Sequence, residues 1–182
     1  VNFVFPAIGI LGLLFLGGQS GMADPNTPEV SEFNQWDSLI KRYAVEYNIP
    51  WEWVKAIMIN ESNLGKASSV KRGLENPLDI EGSKSSDGKS WGLMQLTLPT
   101  ARMFESAVTE AGLNDPETSV RIACKYIAWL MARNYGGFAQ QAFVVRAYNG
   151  GPGFANTVAG KRDTPAYYTR FKSNLAKVMA DV

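Results

Sequence analysis

Apolar residues recur at three- and four-residue intervals through most of this chain, a spacing that marks helices rather than strands. Val30, Phe33, Leu39, Ile40, Tyr43 and Tyr47 form the first such stripe, and Pro50 opens a second helix through "PWEWVKAIMINE". Downstream, one helix is predicted from Pro99 to about Ala111, closing at Gly112. The next starts at "DPET", with Asp115 as cap and Pro116 leading, and carries Ile122, Ala123, Tyr126, Ile127 and Leu130. "FAQQAFVVRAYN" makes another, stopped by Gly150 and Gly151, and a last helix follows Pro165. No useful run alternates as a strand would. "NPLDIEGSKSSDGKSW", Asn76 to Trp91, is polar and rich in Gly and Ser, so it reads as a loop or small hairpin inserted at about 74–91. The pattern predicts a mainly α (α+β) domain.

Ahead of these helices, residues 3 to 18, "FVFPAIGILGLLFLGG", are apolar and uncharged, yet short of the roughly 20 residues a spanning helix needs. The small residues of "SGMA" suit a processing site, so residues 1–23 read as a signal peptide or as a membrane or assembly anchor. A proline-bearing linker and the start of the first helix fill 24–35, with Thr27 as cap and Pro28 leading. The domain is expected over 36–182, and 182 residues suit one such domain with a real core.

Charge and composition narrow the chemistry. The 17 acidic residues include Asp24, Glu29, Glu32 and Asp37 among the first forty positions, where none of the 18 basic residues lies, so the remainder carries a basic excess of five. That favours an anionic partner such as cell-wall polymer, but no Lys/Arg stripe with interleaved aromatics marks a nucleic-acid surface. There is no histidine, which excludes serine–histidine, cysteine–histidine and most zinc chemistries. Cys124 sits among apolar residues at helical spacing and reads as a core thiol.

Within "AIMINESNLG", Glu61 follows Ile57 by four residues and Val54 by seven, which puts its carboxyl on their inward face. Read alone, it is more readily a helix-end glutamate that is solvated or paired with Lys55 or Lys66. Two further motifs bear on it. "WGLMQ", Trp91 to Gln95, joins a permissive glycine, a thioether and an amide. "AYNGGPG", Ala147 to Gly153, ends a helix with a phenol and an amide and enters a glycine loop open to close approach.

In this order, "ES" at Glu61–Ser62, "GLMQ" at Gly92–Gln95 with "TA" at Thr100–Ala101, "AYNGGPG", and "DTPAYY" from Asp163 resemble the goose-type lysozyme and soluble lytic transglycosylase family. The resemblance covers about residues 36 to 175. It implies a lysozyme-like helical bundle around a glycan-binding groove, and cleavage of the β-1,4 bond between N-acetylmuramic acid and N-acetylglucosamine in peptidoglycan. Glu61 would act as acid and then base, giving 1,6-anhydromuramic ends, with no second carboxylate, cofactor or metal required. Tyr148 would set its phenol beside Glu61. Ser62, Met94, Gln95 and Asn149 would shape the sugar groove. The place of action implied is the cell envelope, or a phage virion delivered to it, with the apolar run as the contact to membrane or assembly.

Two departures from the family qualify this. Asp163 stands where the family more often has glutamate. Glu61 and Gln95 are 34 residues apart, longer than usual, and the extra loop brings Glu75, Asp79, Glu81 and Asp87. A loop carboxylate such as Asp79 or Asp87 would suit a hydrolytic muramidase, and a module that grips glycan without cutting it is the remaining alternative.

Overall fold

The computed structural model describes residues 31–133, 139–157 and 165–181. The apolar run, the Thr27–Pro28 cap and Asp163 lie outside the described residues. Helix α1 spans Asp37–Glu46 and α2 Trp51–Ser62, with Pro50 preceding it as expected. Short helices α3 (Ser68–Glu75) and α4 (Ile80–Ser83) follow. Strands β1 (Ser90–Trp91) and β2 (Leu96–Thr97) pair antiparallel, Ser90 opposite Thr97 and Trp91 opposite Leu96. Then come α5 (Leu98–Arg102), α6 (Glu110–Asn114), α7 (Pro116–Met131), α8 (Gln140–Gly150), α9 (Pro152–Ala155) and α10 (Pro165–Ala180). The mainly α expectation holds, with the hairpin as the sheet among the described residues.

Three local departures from the predicted elements have physical causes. The single helix expected over Pro99–Ala111 is two, because Thr109 caps a new start by accepting from Gly112 N at 3.1 Å and Arg102 Nε donates to the Val108 carbonyl at 3.2 Å. The insert at 74–91 holds α4 as well as β1, and the hairpin closes beyond it, around Gly92–Gln95. Helix α3 has few apolar residues and a glycine at Gly73, so its period is faint in the sequence. That glycine is required by packing: a Cβ there would stand 2.5 Å from Asn114 Oδ1.

Helix α7 is the centre of the core. Val120, Ile122, Ala123, Cys124, Ile127 and Leu130 are all fully buried on it, Cys124 as the core thiol expected. Its cap is also as expected, Asp115 accepting from Thr118 N at 2.8 Å. Around it pack α1, α5, α6 and α8, while α2 lies against α1 and, most extensively, α10. This arrangement brings the C-terminal end of α2, the first turn of α10, the end of α8 and the hairpin to one cleft.

Candidate active site

Helix α2 ends abruptly just after Glu61. Asn63, Leu64 and Gly65 all take left-handed backbone, with φ of 50°, 59° and 88°. Asparagine and glycine tolerate that conformation, but leucine does so only when held. Leu64 is held by its carbonyl, which accepts from Gln35 Nε2 at 3.2 Å and Trp36 Nε1 at 3.0 Å. The Ser62 hydroxyl closes the turn, donating to the Met58 carbonyl at 3.2 Å and accepting from Gly65 N at 3.1 Å. Glu61 is thereby fixed in the last turn with its carboxyl in the cleft.

Neither lysine considered from the sequence pairs with it. Lys55 is fully buried on Asp37 at 2.7 Å, and Lys66 pairs with Glu32 at 2.6 Å. The group on Glu61 Oε1 is the Tyr167 hydroxyl, which donates to it from the first turn of α10. Burial pushes the Glu61 acid up to about 7, against the opposing pull of the Tyr167 hydrogen bond and the Arg170 charge, with the Asp87 charge adding to the rise. A carboxyl so placed holds its proton near neutral pH and can give it to an oxygen in the cleft.

The "GLMQ" residues are the hairpin turn. Gly92 and Gln95 adopt positive φ, 74° and 47°, and Gln95 returns both its N–H and its Nε2 to the Gly92 carbonyl, at 3.1 and 2.9 Å. Leu93 and Met94 are fully buried and anchor the turn, and Met94 N donates to Ser119 Oγ at 3.2 Å. Tyr148, near the end of α8, donates its hydroxyl to the Met94 carbonyl at 2.8 Å. It ties the hairpin to α8 rather than bonding Glu61 directly.

The cleft, about 190 Å³, is lined by Glu61, Gln95, Tyr148 and Asn149 together with Asp87 and the hydroxyls of Ser90, Thr97 and Thr100. Larger hollows of about 360 to 410 Å³ occur elsewhere on the described surface, but Glu61 lines none of them. Ser62 and Met94, expected in the groove, are buried and absent from its lining; the hydroxyl of one and the backbone of the other serve the turns instead. Of the four loop carboxylates, only Asp87 faces the cleft. Asp79 caps α4 by accepting from Gly82 N at 2.9 Å, Glu81 pairs with Lys84, and Glu75 lies near Lys71. Asp87 accepts from the Ser85 hydroxyl and from Lys89 N at 3.0 Å, bonds that hold it below the ordinary carboxylate range. Among the described residues no cluster of His, Cys, Asp or Glu is arranged to hold a metal ion.

Tyr167 is the residue that sequence reasoning left without a role. Its signal was present in "DTPAYY", but a tyrosine 106 residues from Glu61 declares itself only once α10 lies along α2. Residues 38–171 match the family model described as Transglycosylase SLT domain. None of the curated proteins searched matches the chain.

Proposed function

The chain belongs to the transglycosylase SLT domain family, whose activity is the lytic cleavage of peptidoglycan, and from that premise we propose a mechanism with Glu61 as sole acid and base. The observation that carries it is the Glu61 carboxyl, protonated up to about pH 7 and bonded by Tyr167 in a polar cleft. Glu61 donates its proton to the glycosidic oxygen, the muramoyl C1–O bond breaks, and positive charge develops at C1 and the ring oxygen. The Glu61 carboxylate then takes the proton of the muramoyl 6-hydroxyl as that oxygen bonds to C1. A 1,6-anhydro ring closes, no water is consumed, and Glu61 recovers its proton.

Gln95 and Asn149 present amides along the cleft that suit the N-acetyl and hydroxyl groups of a glycan, and the Ser90, Thr97 and Thr100 hydroxyls extend the same polar wall. Tyr148 supports this wall through the Met94 carbonyl. By the resemblance alone, Asp163 is assigned as a further substrate contact. The site of action is the cell envelope, reached by export, anchoring or virion delivery through residues 1–23. Among the described residues no helix is long and apolar enough to cross a membrane.

One observation favours a second reading, hydrolysis: Asp87, an ionised carboxylate, shares the cleft with Glu61 and would orient a water. Mass spectrometry of peptidoglycan digests separates the two. Anhydro-muropeptides made by the natural protein and lost in Glu61→Gln support the transglycosylase. Reducing muramic ends alone would establish hydrolysis, and no products at all would leave a glycan-gripping module.

A further inference from the structure

Asn60, the residue before Glu61, has a side-chain amide occupied at both ends. Its Nδ2 donates to the Tyr167 carbonyl at 3.2 Å, and its Oδ1 accepts from Asn174 Nδ2 at 2.7 Å. Asn174 lies seven residues after Tyr167, two turns along α10 and on the stripe that buries Tyr167, Phe171 and Val178. For packing alone that position favours an apolar side chain, which would bury more apolar area against α2. The amide does something leucine cannot: with its donor on Oδ1, Asn60 must turn Nδ2 toward Tyr167.

Tyr167 needs such a tether because it is the third residue of α10. The N–H groups of a helix's first turn lack intrahelical partners, and the turn opens readily. Its hydroxyl nevertheless has to stay on the Glu61 carboxyl. We propose that Asn60 and Asn174 are positioning residues, an amide clamp between α2 and α10 that keeps the Tyr167 phenol on Glu61. The proposal rests on the reading of Glu61 as the catalytic acid.

The titratable and charged groups facing Glu61 are Tyr167 and Arg170 from α10, Asp87 from the loop before β1, and Tyr148 from α8. Tyr167 stabilises the carboxylate by donating to it, so releasing the clamp must make Glu61 a weaker acid. Arg170 rides the same helix and changes it in the same direction. The clamp therefore writes itself into the titration of Glu61, with no substrate needed.

The test follows the Glu61 side-chain carboxyl carbon by NMR through a pH titration of the full chain, its resonance identified by its loss in Glu61→Gln. In Asn60→Leu the midpoint should rise by about one pH unit, the scale set by loss of one hydrogen bond to a charged group. Asn174→Leu, which leaves Asn60 in place, should move it the same way and serves where Asn60→Leu does not fold. On peptidoglycan both variants should lose kcat with KM little changed. In a Tyr167→Phe background either change should move the midpoint less, by the share that Arg170 contributes. An unmoved midpoint in a folded variant would overturn the clamp, as would an undiminished shift in the Tyr167→Phe background. A midpoint shift in a protein that yields no anhydro ends would support the clamp while overturning the function it serves.

Discussion

The proton on Glu61 links reaction to stability. Its acid constant in the fold, about 7, lies above the ordinary 4.5, so the native state keeps a proton that the unfolded chain releases. The stability this group contributes is complete below about pH 4.5 and is lost as pH rises through 7. Glu61→Gln cannot ionise, so its stability should match that of the natural protein at pH 4 and exceed it at pH 8, by an amount on the order of 2–3 kcal/mol. Its turnover should fall roughly a hundred- to ten-thousand-fold, the usual worth of a general acid–base group. Equal melting curves at pH 8 would mean that Glu61 is well solvated. Tyr167, bonded to Glu61, and Tyr148, in the cleft lining, should separate in the same assays. Tyr167→Phe removes a donor from the carboxylate, so the basic limb of the rate profile should move to higher pH. Tyr148→Phe instead unpairs the buried Met94 carbonyl, costing about 1–3 kcal/mol of stability and leaving the limb in place. Spacing turns Glu61 inward but leaves it open as a helix-end glutamate; the ordered motifs and the resemblance they carry are what single it out. The resemblance implies a place in the groove for Ser62 and Met94, the motif neighbours of Glu61 and Gln95. Neighbours on a helix end or a tight turn point in different directions, and both side chains turn into the core.

At the scale of elements, period and caps were enough where a helix is long and buried, as for α2, α7 and α10. They were not enough where the chain is polar. Helices α3 and α4 and the strand β1 depend on contacts between distant residues. Chief among these is Asn114, which donates to the Pro77 carbonyl at 3.1 Å and the Ser83 hydroxyl at 2.8 Å. The hairpin depends on a close approach that sequence cannot display. Gly92 has a φ of 74°, and a Cβ there would stand 1.8 Å from the Leu113 carbonyl oxygen. Backbone, unlike a flexible side chain, cannot step aside. Gly92→Ala should therefore push the hairpin off α6, lowering stability by more than about 2 kcal/mol and reducing cleavage in proportion to the displacement of Gln95. Thermal melts and muropeptide yields, compared with an alanine at the open, exposed Gly153, check this. Like melts for the two variants would show that α6 yields.

For the whole molecule, two questions remain: at which pH it is most stable, and where its folding unit begins. Glu105 is bonded by Arg121 and Lys125 and held down at about 2, so its contribution is complete above about pH 4.5 and lost as pH falls through 2. Glu61 contributes in the opposite direction, and the two together place the stability maximum near pH 4.5–5. Glu105→Gln should cost about 1–2 kcal/mol at pH 5 and above, a loss that shrinks as pH falls toward 2. The start of the folding unit is set by a buried charge. Lys55, fully buried on α2, is held by Asp37 and by Asn34 Oδ1, each at 2.7 Å, and lies 4.1 Å from the centre of the Phe33 ring. Removing residues 1–23, or 1–30, leaves all three partners, and the truncated domain should melt and cut as the full chain does. A start at 36, the boundary suggested by the first helix alone, removes Phe33 and Asn34 and leaves a buried ammonium with Asp37 and, at 5.9 Å, the Trp51 ring. Loss of a hydrogen bond to a buried charge costs about 1.5–3 kcal/mol, so that protein should melt several degrees lower. Lys55→Met combined with Asp37→Asn should recover most of the difference, because neither side chain is then left as a buried unpaired charge. Equal melting temperatures for the starts at 31 and 36 would show that Asp37 alone satisfies the lysine.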